Sequence, residues 1–223
     1  MIDSQQTVAS LVLDHSECAA VFKRHRIDFC CRGDVSIAAT CAEKGLDTGA
    51  LVDELSRAIA ERKGDGSDPR GLSTPALVGH IVSKHHEYLR NALPFVAQLA
   101  AKVSRVHGDH DPRLRELDAS VVRLVGALLP HLDVEEETLF PAMLAKQPDR
   151  ALLSRELGSM QEEHLAVGAL LEKMRTVTDG YGLPEWACNS YRTLFKELEQ
   201  LEGDVHTHIH LENHVLRPRF AAV

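Results

Sequence analysis

Apolar residues recur at intervals of three and four along the C-terminal two thirds of the chain, which is the spacing of one buried helix face. This periodicity predicts four long amphipathic helices, at about 74–106, 112–146, 150–177 and 184–216. Short segments with Gly, Asp and Pro separate them, and strand-type alternation is nearly absent. The sequence therefore predicts an all-α fold built on an up-down-up-down four-helix bundle, because short connections make neighbouring helices antiparallel.

The segment ERKGDGSDPRGLSTP at 61–75 marks a boundary between two predicted domains, because Gly, Asp, Ser and Pro cluster there and the periodicity stops. Before it, shorter helical patterns lie around 6–24 and 48–62, joined by a loop region that carries cysteines. We therefore expect a small helical N-terminal domain at 1–65 and the helical bundle at 72–223.

Composition narrows the classes of function. The formal net charge of -8 argues against a nucleic-acid surface, which needs clustered Lys and Arg. We see no signal peptide, and no apolar run reaches the ~18 residues of a membrane span, so we expect a cytoplasmic protein without a membrane partner. The five cysteines lack CxxC spacing, which disfavours a disulfide framework or a zinc ribbon. The 13 histidines point instead to metal binding.

Histidine interrupts the apolar stripe of each predicted bundle helix, and in two helices a glutamate follows four residues later. These residues are His86, His131, Glu135, His164, His208 and Glu212. Two buried carboxylates beside four inward histidines call for a compensating positive charge. Two metal ions supply it, each with two imidazoles and a share of both carboxylates. Mixed nitrogen and oxygen ligands suit iron or manganese better than a closed zinc site, and a bridging oxo or hydroxo group would complete the centre.

Alternatives remain at the level of single histidines. Any one of them taken alone fits a structural role, since buried polar groups usually find hydrogen-bond partners. His85 and His86 are adjacent and point about 100° apart on a helix. The apolar run favours His86 as the ligand, with His85 as the alternative. We expect His206, His210 and His214, which lie off the stripe, to be solvated or to support the ligands.

One histidine, then His-x-x-x-Glu, then one histidine, then His-x-x-x-Glu resembles the ligand order of hemerythrin-like di-iron proteins. The segments DFCCRG at 28–33, CAEKGLD, EEETLFP and HIHLENHVL resemble more closely the hemerythrin-like iron–sulfur cluster repair di-iron proteins, the repair-of-iron-centres family. This resemblance covers nearly the whole chain. It implies a non-haem di-iron centre, held by the six residues named above, and a role in recovery from nitric oxide and oxidative damage. Cys30 and Cys31 match the paired cysteines of that family.

The adjacent cysteines are poor structural staples, because a disulfide between neighbours is strained. We expect Cys30 and Cys31 to supply electrons, to bind nitric oxide or to pass iron to a client, and the alternative is plain packing of two small apolar residues. Arg32 stands where the family often has Gly. It is either a surface arginine or a positive charge that lowers the pKa of the neighbouring thiols.

Two activities follow from the resemblance. The first is reduction of nitric oxide to nitrous oxide at the di-iron centre, and the second is donation of iron to damaged iron–sulfur clusters of client proteins. The alternative is a hemerythrin-like sensor or carrier that binds dioxygen or nitric oxide without turnover. The cysteine-bearing domain disfavours the carrier, since a carrier needs only the bundle. By resemblance, this domain is also a candidate contact for a homodimer.

Overall fold

The computed structural model describes residues 2–61 and 69–220, and regular structure in these residues is helical. The described ranges contain no β-strand and one isolated bridge, between Thr7 and Ser36. The all-α prediction is therefore confirmed. The chain divides into two compact units, one made of Met1–Ser73 with Ile209–Arg219 and the other of Thr74–His208 with Phe220–Val223. Within the described residues, no helix has the length and apolar character needed to cross a membrane.

Four short helices build the N-terminal part of the first unit. They are α1 (Val8–Asp14), α2 (Cys18–Arg24), α3 (Ile37–Lys44) and α4 (Thr48–Ala60). The side chains of Thr7, Ser36 and Asp47 cap α1, α3 and α4, because each accepts a hydrogen bond from a backbone N–H of the first turn. The continuous helical pattern expected at 6–24 is thus two helices, and the expected loop region contains α3.

Four helical runs account for the four predicted amphipathic helices. Their α-helical parts are α5 (Thr74–Ile81), α6 (Glu87–His107), α7 (Arg113–Val134), α8 (Phe140–Leu144), α9 (Arg150–Val177) and α10 (Asn189–Leu211). Short 3-10 turns occur at Pro69–Gly71 and Arg217–Phe220. Helix α7 packs against both α6 and α9. The apolar stripes are buried as expected, for example Leu89, Leu128 and Leu171.

Three of the four runs contain a π-helical turn, named here π1 (Val82–His86), π2 (Glu135–Leu139) and π3 (Glu212–Leu216). In each, the residue after the turn donates its backbone N–H to the carbonyl five positions earlier, for example from Phe140 to Glu135. Turns of this kind are rare in proteins, and those that occur are often found at functional sites. A predicted ligand is the last residue of π1 and the first residue of π2 and of π3.

Candidate metal centre

All six ligands predicted from the sequence are buried, with at most 4% of any of them exposed to solvent. Their ligand atoms form two overlapping groups. One group is His86, Glu135, His208 and Glu212, and the other is His131, Glu135, His164 and Glu212. Within each group the ligand atoms all lie within 4.8 Å of one another. The two glutamates belong to both groups, and each group has two histidines of its own.

Glu135 lies between two pairs of imidazoles. Its Oε2 is 3.5 Å from His86 Nε2 and 3.9 Å from His208 Nε2, whereas its Oε1 is 3.3 Å from His131 Nε2. The Nε2 atoms of His86 and His208 are 3.2 Å apart, and those of His131 and His164 are also 3.2 Å apart. Two nitrogens that each lie about 2.1 Å from one ion stand roughly 3 Å apart. Each pair therefore has the spacing of two ligands to one metal.

Carboxylates behind the ligands orient two of the imidazoles. His86 Nδ1 lies 2.9 Å from Glu136 Oε1, and His131 Nδ1 lies 2.6 Å from Glu163 Oε2. Because an ionised carboxylate only accepts hydrogen bonds, each Nδ1 is the donor, and the Nε2 of the neutral ring presents its lone pair. Burial acts to raise the pKa of Glu136, but hydrogen bonds from His86 and Arg90 outweigh it and lower that pKa. A carboxylate that orients a histidine is the usual support of a metal ligand.

The donor set fits metal ions on chemical grounds. Ionised carboxylates buried to this depth need nearby positive charge, and the Nε2 lone pairs of His86 and His131 are available to bind a metal ion. Imidazole and carboxylate together suit iron, and no thiolate belongs to either group. The two groups can therefore hold metal, with Glu135 and Glu212 common to both.

Comparison with known proteins also points to metal binding. Residues 78–220 match the family model described as Hemerythrin HHE cation binding domain, and residues 4–59 match the model described as Domain of Unknown function (DUF542). The Iron-sulfur cluster repair protein ScdA of Staphylococcus haemolyticus is 33% identical over 99% of this chain and 100% of its own length. The Iron-sulfur cluster repair protein YtfE of Yersinia pseudotuberculosis is 32% identical over 96% of each chain. The chain belongs to the hemerythrin-like family of iron–sulfur cluster repair proteins.

His85, the alternative ligand in the first bundle helix of this hemerythrin-like chain, has a different neighbour. Its Nδ1 lies 2.9 Å from Asp204 Oδ1, and its ring stacks on that of His208 with centroids 5.9 Å apart. His85 and Asp204 line a cavity of about 420 Å³ together with Tyr88. Burial and the charge of Asp204 raise the pKa of Tyr88 to about 12. The structure thus places His86 with the groups that could hold metal and His85 with Asp204.

The cysteine pair lies in the loop between α2 and α3 and is not disulfide-bonded. The two Sγ atoms are 3.5 Å apart, Cys30 is buried, and Cys31 is partly exposed. Asp28 Oδ1 accepts hydrogen bonds from the backbone N–H of Cys30 at 3.0 Å and of Cys31 at 2.8 Å. The hydrogen bond with Cys31, burial and the charge of Asp28 raise the pKa of the Cys30 thiol well above its ordinary value. For Cys30, the suggestion that Arg32 lowers the thiol pKa is therefore wrong.

Two residues that contact the candidate metal ligands were not predicted from the sequence. Glu136 and Glu163 each stand next to a candidate ligand in the chain, but nothing in the spacing shows that they reach an imidazole.

His210 was expected to be solvated or to support the ligands. It is 3% exposed, and burial, together with the charge of His214, lowers its pKa to about 4. It donates a hydrogen bond to the carbonyl of Phe29. This contact joins parts of the chain that no local pattern relates.

Proposed function

We propose that the chain is a non-haem di-iron protein that repairs iron–sulfur clusters damaged by nitric oxide or by oxidative stress. It acts by reducing nitric oxide to nitrous oxide, by donating iron to damaged clusters, or by both. The position of Glu135, with one oxygen toward each pair of imidazoles, is the observation that carries the proposal. The relatives that bear the name iron-sulfur cluster repair protein support the repair process.

The proposed cofactor is two iron ions with an oxo or hydroxo bridge. His86 and His208 would hold one ion and His131 and His164 the other, and both groups would share Glu135 and Glu212. When bound and reduced, this cofactor would supply the two electrons that nitric oxide reduction needs. Coupling of two nitric oxide molecules with two electrons and two protons gives one nitrous oxide and one water.

The chain keeps the ligands in place and keeps water away from them. Glu136 and Glu163 fix the ring orientation of two histidines through their Nδ1 atoms. The ring of Phe140 stacks on that of His86, with centroids 5.7 Å apart, and covers one of its faces. A dry, low-dielectric site strengthens the interaction of the ligands with charge that develops during the reaction. The burial of all six ligands favours chemistry at retained iron over ready release.

Cys30 and Cys31 have the proposed role of assisting the reduction. Two thiols that become a disulfide release two electrons and two protons, which is the amount needed for one nitrous oxide. Their place in a separate N-terminal segment favours this role over a simple gas carrier, which needs only the bundle. Iron–sulfur proteins of the cytoplasm are the proposed clients, whichever of the two activities dominates.

The test counts products. The protein is loaded with iron and reduced without oxygen, and nitric oxide is added with excess reductant. We expect many nitrous oxide molecules per two irons, and we expect this yield to be lost in Glu135→Ala and Glu212→Ala but kept in Glu137→Ala, an exposed residue of the same π turn. One nitrous oxide or fewer per two irons, with nitric oxide left bound, would overturn the turnover proposal. Iron transfer to a metal-free cluster protein then separates iron donation from sensing.

A further inference from the structure

Two side chains of the last helical run hold the backbone of the cysteine pair. Asn213 Nδ2 donates a hydrogen bond to the carbonyl oxygen of Cys30 at 2.8 Å, and His214 Nε2 donates to the same oxygen at 2.9 Å. His210 Nδ1 donates to the preceding carbonyl, that of Phe29, at 3.1 Å. Asn213 and His210 are buried, so water cannot readily replace these bonds when they break.

The carbonyl of Cys30 belongs to the peptide that links the two cysteines. The N–H of the same peptide, on Cys31, is held by Asp28 Oδ1 at 2.8 Å. Both polar groups of this single peptide are therefore fixed by side chains, one from within the loop and two from the π3 turn. Gly33 lies close to the backbone of Phe29, because a Cβ there would be 2.4 Å from the carbonyl oxygen of Phe29. This position of the loop therefore requires glycine.

A disulfide between adjacent cysteines closes a small ring that contains this peptide. Bonded sulfurs are about 2.05 Å apart, whereas Cys30 Sγ and Cys31 Sγ are 3.5 Å apart. Closing the ring requires new torsion angles on both sides of the peptide, so its carbonyl and N–H must change direction. The hydrogen bonds from Asn213 and His214 would then be lost or weakened. The raised pKa of the Cys30 thiol also disfavours the thiolate that starts the exchange.

We propose that Asn213 and His214 are positioning residues that hold the Cys30–Cys31 peptide in its dithiol shape and thereby set the redox equilibrium of the cysteine pair. With a small disulfide as oxidant, the two thiols form one S–S bond, and the S–S bond of the oxidant breaks to give two thiols that take up the two protons. The hydrogen bonds stabilise the dithiol side of this exchange. The inference concerns the thiols alone and holds whether or not the metal centre reduces nitric oxide.

The test is a thiol redox titration of the full chain. The protein is equilibrated with mixtures of reduced and oxidised dithiothreitol and quenched by alkylation. Peptide mass spectrometry then measures the fraction of the pair that is disulfide-bonded, apart from Cys18, Cys41 and Cys188. Asn213→Ala and His214→Ala should each raise the oxidation equilibrium constant about five- to ten-fold, as expected for the loss of one buried hydrogen bond. Tenfold corresponds to about 30 mV for this two-electron couple.

Two further variants make the result specific. His214→Gln keeps an N–H donor on a side chain of similar reach and should stay within about twofold of the wild type. Thr207→Ala, an exposed change earlier in the same helical run, should leave the equilibrium unchanged. Helix content by circular dichroism is measured first. If Asn213→Ala does not fold, Asn213→Ser replaces it, because serine is too short to reach the carbonyl. The proposal would be overturned if the Asn213 variant and His214→Ala both kept the wild-type equilibrium. A shift toward the dithiol in either variant would also overturn it.

Discussion

Replacement of Glu135 by glutamine should separate a metal ligand from a structural carboxylate. Glu135 is 1% exposed, and its two oxygens lie 3.3–3.9 Å from three imidazole nitrogens. Glutamine keeps the shape of the side chain, removes its negative charge and turns one acceptor oxygen into an NH2 donor. We expect this change to have a small effect on the metal-free protein and a large one on the metal-loaded protein.

The two magnitudes follow from the position of the side chain. In the metal-free protein, the amide avoids the cost of burying a charge but loses the attraction to the imidazoles. These opposing effects should keep the change in unfolding free energy within about 1 kcal/mol. With metal bound, Glu135 would be a ligand shared by both groups, and its loss should weaken binding by at least ~100-fold. At metal concentrations far above the dissociation constant, this removes about 2.7 kcal/mol of stabilisation.

The assay is urea unfolding followed by circular dichroism, with a chelator present or with ferrous iron in the absence of oxygen. The matched control is Glu137→Gln, which removes the same charge from an exposed position of the same π turn. The control should keep the full stabilisation by metal. Equal losses of stability in the metal-free and the metal-loaded Glu135→Gln protein would refute the reasoning, because the carboxylate would then act through the fold and not through metal.

Three further changes test separate contacts. Glu163→Gln weakens the support of one imidazole and should lower metal affinity about 10- to 100-fold in a chelator competition, with Glu162→Gln unchanged. Arg175→Met removes the ion-pair partner of Glu202, whose side chain is 2% exposed. This change should lower the free energy of unfolding in urea by about 3–5 kcal/mol. Arg155→Met, at an exposed pair, should cost less than ~1 kcal/mol. The pKa of Asp111 is lowered, chiefly by a hydrogen bond from Arg113. The stabilisation that this carboxylate gives to the fold is therefore complete above the unfolded pKa of about 3.9 and is lost as pH falls through the folded pKa. Asp111→Asn should therefore destabilise at pH 7, with the difference from wild type shrinking below about pH 4, whereas a difference that stays constant in acid would contradict this account.

The helices and the ligand candidates were predictable because their signals are local. An apolar residue at every third or fourth position defines one helix face whatever that face packs against. A histidine or glutamate on such a face is costly to bury, so its presence points to a compensating partner. His131 and Glu135, spaced one turn apart, were identified in this way. The structure brings them together with the candidate ligands from the other helices.

The π turns were not predictable from this pattern. An α-helix and a π turn place residues on the same face with similar spacing, and the bond from residue i to i+5 leaves no signature in the residue types. The turns Val82–His86, Glu135–Leu139 and Glu212–Leu216 change the register at the ligands. The break between α1 and α2, at His15–Glu17, was missed for a related reason, since apolar spacing alone does not locate a helix end.

The sequence by itself determined that the protein is helical, which residues of each helix face inward, and that inward histidines and glutamates require positive charge. Tertiary structure decided which groups meet. His86 contacts a carboxylate 50 positions away, and the carbonyl of Cys30 accepts from Asn213 across 183 positions. Periodicity describes only the direction of a side chain relative to its own helix axis. The partner at the end of that direction depends on how separate helices pack, which no local pattern contains.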